Sequence, residues 1–308
     1  MSTVPFCHLH FHSGYSLLDS TAKVKPALKA AADMGMSYLA LTDHAALYGA
    51  VEFYKTALSL GIKPIIGCDM YVARLGMDER SSQRNNMSLV LLAETQEGYR
   101  NLVKLVSYAH LDGLYYKPRI DKDLLRKYSK GLIGLSGDLR GEVGEACKND
   151  ELDRAIELAK EYSEILGENN FFIEIFDHSL DEEKTGVANL IKVAEATGLP
   201  LVASNDVHYV RQEHAEAHDI LTCLQRGYLV ADPNRYRYHG DQYYLKSGEE
   251  MAALFPNQPE AISNTIEIAK RCNVEFFFPE KAEDLHFPIF PLPGDFKKGL
   301  DYLCLLYT

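Results

Sequence analysis

The chain has 308 residues, 46% hydrophobic and 25% charged, enough to bury the core of one large α/β domain or two smaller ones. A formal net charge of −12 argues against a general polyanion binder, so any nucleic acid must be met by a local basic patch, a metal cluster or another part of a larger protein. Six cysteines (Cys7, Cys68, Cys147, Cys223, Cys272, Cys304) form no CxxC pair, no secretory leader precedes them, and no run approaches the ~18 apolar residues of a membrane span; a reducing cytoplasm and no membrane contact are expected.

Short apolar runs alternate with helical patterns. Phe6 to Phe11 predicts a first strand, Lys25 to Ala32 a helix stopped at Gly35, Ser37 to Thr42 a second strand, and Val51 to Leu60 a helix ended by Gly61. A third strand reaches Val72 and a fourth covers Leu89 to Ala93, with the polar stretch from Arg74 to Met87 between them as a loop. Gly98 to Ala109 is helical, Leu132 to Leu135 a fifth strand, Asp150 to Leu166 an acidic amphipathic helix, and Phe171 to Phe176 a sixth strand. A helix from Glu182 to Thr197, ending at Gly198, leads to a seventh strand at Leu201 to Ala203. Such βα units imply parallel strands, and seven of them without GxGxxG or a P-loop predict a distorted seven-stranded (β/α) barrel over residues 1–272. Residues 225–250 interrupt it as an irregular insertion before a helix from about Glu260 to Cys272. Residues 273–308, rich in Pro and aromatic side chains, read as an extended segment.

The chemistry gathers where strands end. His8, His10 and His12 share one face of the first strand, because side chains alternate along an extended chain. Strand two ends in Asp43-His44, strand three carries Asp69, strand five is followed by Asp138, strand six by Asp177-His178, and strand seven by Asn205-Asp206 with His208. A merely solvated rim would favour Lys, Glu and Ser, whereas His and Asp from five or more strand ends predict a metal site suited to zinc, manganese or iron. His214 and His218 lack the HExxH order of zinc proteases, so His218 is expected to pack or to lie on a helix surface. His110, His239 and His286 have no ligand-like company. Lys117-Pro118-Arg119 fits a phosphate or a structural loop, and Arg80 and Arg84 a solvated one.

Four segments, His10-Phe11-His12-Ser13 with Asp19, Thr42-Asp43-His44, Gly67-Cys68-Asp69 and Asn205-Asp206-Val207-His208, resemble the successive motifs of the polymerase and histidinol phosphatase (PHP) superfamily. Gly61 to Gly67, Glu97 to Leu102, Tyr116 to Asp121 and Asn264 to Ala269 resemble the N-terminal region of the bacterial replicative DNA polymerase III alpha-subunit family. The resemblance implies a distorted barrel with up to three divalent ions, zinc or manganese, bound by His10, His12, Asp19, His44, Asp206 and His208 at matching positions. Asp69 stands where that family carries Glu, Ser88 where metal-competent members carry His, and Asp138 in place of a Cys; Asp69 and Asp138 remain candidate ligands in an incomplete set. Asp43 is better placed to orient an imidazole than to ligate.

The resemblance implies a part of a DNA-directed DNA polymerase, with DNA and other holoenzyme subunits as partners met through the full-length protein. The polymerase palm is not expected among these residues. Their own chemistry would be metal-dependent phosphoester hydrolysis, as a 3′-5′ exonuclease with no catalytic side chain beyond the metal cluster. Two alternatives stand beside it: a non-catalytic scaffold that supports the polymerase core or docks a separate proofreading subunit, and a free-standing small-molecule phosphatase.

Overall fold

The computed structural model describes residues 4–80 and 86–279. The predicted features at Arg84, His286 and Cys304, and the part of the extended segment over residues 280–308, lie outside the described residues. Met1–Glu275 is one compact unit and Phe276–Thr308 a second.

In chain order the elements are α1 (Val24–Asp33), β1 (Tyr38–Leu41), α2 (Ala50–Ser59), β2 (Lys63–Ala73), β3 (Asn86–Ala93), α3 (Gln96–Leu111), β4 (Arg119–Ile120), α4 (Lys122–Tyr128) and β5 (Leu132–Leu135). They continue with α5 (Glu142–Lys148), α6 (Leu152–Leu166), β6 (Phe171–Ile175), α7 (Asp181–Thr197), β7 (Leu201–Ala203), α8 (Ala215–Arg226), α9 (Gly248–Leu254) and α10 (Pro259–Arg271). Helix α1 buries Val24, Ala27, Leu28 and Ala31, the i, i+3, i+4, i+7 stripe of an amphipathic helix. Thr95 caps α3 by accepting from Gly98 N, and a reciprocal Ser247–Glu250 capping box starts α9. The short β4, α4, α5 and α9 carry too few residues for a periodic signal and escape the sequence reading.

The strands hydrogen-bond in the order β1-β2-β3-β5-β6-β7, with β4 paired to β2. The expectation of uniformly parallel strands is corrected at β3, which runs antiparallel to both β2 (Asp69 opposite Val90) and β5 (Val90 opposite Leu135). The reason is the β2–β3 link: a parallel return needs a crossover, usually helical, and among the described residues this polar connection contains no helix.

The segment expected as the first strand forms no regular strand, yet it closes the barrel. Ala40 N donates to His8 O at 3.0 Å and Thr42 N to Phe11 O at 2.9 Å, tying it to β1. On its other side His12 N donates to Val207 O at 2.9 Å and Val207 N to His10 O at 3.2 Å, tying it to the chain just after β7. The sheet is therefore a distorted, closed barrel with helices outside. Cys7, Leu9, Ile65, Val90, Ile133 and Val202 belong to one buried core cluster. Leu9 and Phe11 alternate with three histidines that are equally buried, so burial alone does not separate the two faces of this segment. No helix among the described residues is long and apolar enough to cross a membrane, and Cys7, Cys68, Cys147, Cys223 and Cys272 are free thiols.

Candidate metal centre

The closing segment delivers His10 and His12 into one end of the barrel. His10 Nδ1 lies 2.9 Å from Oε1 of Glu174, a fully buried carboxylate on β6. A carboxylate only accepts, so Nδ1 carries the proton and Nε2 faces the centre. For His12 the same orientation comes through a relay. Ser16 Oγ spends its proton on Asp43 Oδ1 at 2.7 Å, which leaves its oxygen to accept from His12 Nδ1 at 3.3 Å. Asp43, held also by the Ser13 amide and hydroxyl at 2.7 and 2.8 Å, therefore reaches an imidazole through Ser16 and not through its neighbour His44. His208 Nδ1 donates to the Asp19 carbonyl at 3.0 Å. Three imidazoles thus bond outward through Nδ1 and present Nε2 inward, the arrangement in which outer partners set ligand tautomers.

Their Nε2 atoms converge on Asp206, with Oδ1 at 3.1 Å from His12, 3.1 Å from His208 and 3.5 Å from His10. Asp206 holds a left-handed backbone conformation, φ 43°, unusual for a residue with a side chain and of the kind strained sites retain. Beside it, His44 bridges two carboxylates, with Nε2 2.8 Å from Asp19 Oδ2 and Nδ1 2.8 Å from Asp69 Oδ2. Ser88 Oγ donates to the other oxygen of Asp69 at 2.7 Å. Gly137, at φ 75° where a Cβ would lie 2.9 Å from Ser88 O, turns the chain after β5 so that Asp138 reaches the rim.

The charges are mutually dependent. Burial works against a charged His44, but Asp19 and Asp69 outweigh it and raise its pKa to about 10. Burial likewise opposes a charged His10, and Glu174 and Asp206 overcome it; burial, then His44, drives His12 well below the ordinary imidazole value. Asp69 and Asp206 are held well below the usual carboxylate range in spite of burial, Asp69 chiefly by His44 and Asp206 by His208 and Arg140.

Five buried atoms here, His10 Nε2, His12 Nε2, Asp19 Oδ2, His44 Nδ1 and Asp69 Oδ2, have no hydrogen-bond partner among the described residues. Even the 2.8 Å approach of His44 Nδ1 to Asp69 lacks the angles of a hydrogen bond. Desolvated polar atoms left without a partner cost free energy, and a bound cation that displaces the imidazole protons would take them up. Two groups, His12/His44/His208 and His10/His12/Asp69, have donor atoms within 4.8 Å of one another, so the residues present fit a divalent ion.

Other positions singled out in the sequence have protein partners. Asp138 is paired with Arg140, whose Nε lies 2.6 Å away. His178 is buried against Glu183 Oε1 (2.7 Å) and the Asn205 carbonyl (3.0 Å). Of the two roles open to His218 the fold takes packing: it is buried, and its Nε2 donates to the Asp19 carbonyl at 2.9 Å. Arg119 is structural: wholly buried, it donates to the carbonyls of Gly113, Glu79 and Met77. Sequence reasoning missed Glu174 and Arg140. A lone acid inside the apolar run Phe171-Phe172-Ile173-Glu174-Ile175 was the available signal for the first; nothing in the local pattern marks the second.

Two openings flank the cluster. A pocket of about 170 Å³ reaches Asp19 and His44 past Tyr48, Tyr71 and Lys117. One of about 350 Å³ reaches Asp138, Arg140 and Asp206 past Tyr236, Arg237 and Tyr238, residues of the irregular stretch before α9.

A closed barrel with buried histidines and aspartates converging at one end is the plan of a metal-binding (β/α) barrel. The PHP domain model matches residues 8–178, and the chain belongs to that family. Over nearly all its length it is similar to DNA polymerase III subunit alpha of Treponema pallidum, 42% identical over 306 aligned positions that cover 98% of this chain and 26% of that protein. The same subunit of Thermus aquaticus is 42% identical over 319 aligned positions that cover 99% of this chain and 26% of that protein. The chain thus spans about a quarter of the length of these relatives. Among solved structures it is similar to an amidohydrolase of Chromobacterium violaceum with bound sulfate and no metal, at 15% identity and a TM-score of 0.43 over 66% of this chain and 87% of that one.

Proposed function

We propose that this region is the PHP part of a bacterial DNA polymerase III alpha subunit, acting within a cytoplasmic DNA-directed DNA polymerase, and that its His–Asp centre is a metal-dependent phosphoesterase of the 3′-5′ exonuclease kind. The observation that carries the chemistry is the set of orphaned, inward-facing atoms on His10, His12, Asp19, His44 and Asp69. Those residues, with Asp206 and His208, would hold the ions, and zinc or manganese suits the mixed imidazole and carboxylate donors. Bound there, a divalent ion supplies an activated water and neutralises phosphate charge.

The chain's own side chains do the rest. Glu174 and Ser16 keep His10 and His12 in the tautomer that leaves Nε2 free, and the Asp19 carbonyl holds His208 with its Nε2 against Asp206 Oδ1 at 3.1 Å. Arg237 lines the larger pocket, where it can meet a phosphate, and Tyr236 and Tyr238 offer faces on which a base can stack. The net charge of −12 makes such a local patch necessary. DNA and the other polymerase subunits are the partners proposed.

The second reading, a barrel kept as scaffold, is favoured by Ser88, whose hydroxyl is spent on Asp69 where an imidazole would add a donor. Metal content per chain, with hydrolysis of 3′-labelled single-stranded DNA, decides between them for the wild type and a His10→Ala/His208→Ala variant. Bound zinc or manganese with 3′ degradation, both lost in the variant, supports the phosphoesterase. Less than about half an ion per chain, unchanged by the substitutions, refutes it and leaves the scaffold.

A further inference from the structure

We propose that Arg140 is a built-in cation: its guanidinium fills the end of the cluster between Asp138 and Asp206 Oδ2, so Asp138 is not a metal ligand and divalent ions are confined to the end formed by His10, His12, Asp19, His44, Asp69 and His208, which only Oδ1 of Asp206 faces. This rests on the reading of the cluster as a metal centre.

The hydrogen bonding divides the site in two. At one end lie the five orphaned atoms described above. At the other no side-chain atom of Asp138, Arg140 or Asp206 is buried without a partner. Both Asp138 oxygens are committed to one residue, Oδ2 to Arg140 Nε at 2.6 Å and Oδ1 to its backbone N–H at 2.7 Å. Arg140 Nη2 then donates to Asp206 Oδ2 at 2.7 Å, leaving Oδ1 of Asp206 to face the imidazoles. A planar guanidinium has the donors and fixed geometry to clamp two carboxylates at once, and its charge is permanent. It removes the repulsion between Asp138 and Asp206 that an ion would otherwise have to screen.

The clamp is anchored at its backbone. Ser88 N donates to the Arg140 carbonyl at 3.0 Å, while the Ser88 hydroxyl bonds Asp69. Ser88 thereby ties the arginine end of the cluster to the end carrying the orphaned atoms. Arg140 itself is 40% exposed, reaching the centre from the larger pocket past Tyr238.

The test counts manganese ions per chain by elemental analysis after gel filtration, and measures melting in chelator, for wild type, Asp138→Asn, Arg140→Lys and Arg140→Gln. Asp138→Asn should keep the wild-type ion count, as should Arg140→Lys, which retains a cation. Arg140→Gln should melt lower in chelator and take up about one additional ion that restores it, because two facing carboxylates then lack a counter-charge. Loss of an ion in Asp138→Asn, or an unchanged ion count in Arg140→Gln, overturns the inference, and the first readout survives should Arg140→Gln not fold. A wild type that loads ions and hydrolyses nothing refutes the phosphoesterase alone. A wild type without ions whose Arg140→Gln variant gains one supports the built-in cation.

Discussion

Glu174→Gln isolates the part of the centre that sequence reasoning missed. Glu174 is fully buried, and its Oε1 accepts from both His10 Nδ1 and the Ser204 hydroxyl, while Oε2 has no partner. A glutamine fits the same space but faces a choice. With its oxygen in the place of Oε1 it keeps both bonds and buries an unsatisfied NH₂ where Oε2 was, at a cost of about 1–3 kcal/mol. Turned over, it donates to His10 Nδ1, forces the proton onto Nε2 and blocks the inward lone pair. Losing the partner that orients a ligating histidine lowers metal affinity 10–100-fold in general, about 1.4–2.7 kcal/mol. Titration of manganese against a competing fluorescent chelator should show a weakening of roughly that size. Melting in chelator serves as the control for folding. Affinity within about twofold of wild type together with unchanged melting in chelator would mean that Glu174 does not set the His10 tautomer, and the account of the centre built on it fails.

Two further predictions concern stability. His8 is buried with Nε2 bonded to the Lys246 carbonyl, and burial lowers its pKa to about 4. A lowered imidazole pKa stabilises the fold above the unfolded value near 6.5 and loses that contribution as pH falls toward 4, so it is worth about 2 kcal/mol less at pH 5 than at pH 8. Urea unfolding in chelator should show His8→Gln flattening the acid side of the profile by about that amount, and an unchanged slope refutes a neutral buried His8. At Gly98, a Cβ would lie 1.7 Å from the Gly131 carbonyl oxygen, so Gly98→Ala should destabilise by at least ~1–3 kcal/mol. Gly14→Ala, which meets only Ala22 O at 3.9 Å, serves as its control, and equal melting of the two variants would refute the packing argument.

The local pattern of the chain reaches far into the answer. Alternation at Leu9 and Phe11 placed His10 and His12 together, and apolar runs followed by His or Asp located His44, Asp69, Asp138, Asp206 and His208, since strand period and strand-end position are local properties. The helices with full buried stripes, such as α1 and α6, are legible for the same reason. Tertiary contacts decide what remains. The direction of β3 depends on which strands it pairs with, and the closing role of residues 6–12 on hydrogen bonds to β1 and to Val207, far along the chain. Whether a carboxylate ligates or pairs is decided by what the fold brings beside it: Asp138 and Asp69 look alike in sequence, yet one meets a guanidinium and the other an imidazole row. Glu174 joins His10 across 164 positions. Spacing along a chain carries no information about such encounters, because they are set by the closure of the barrel.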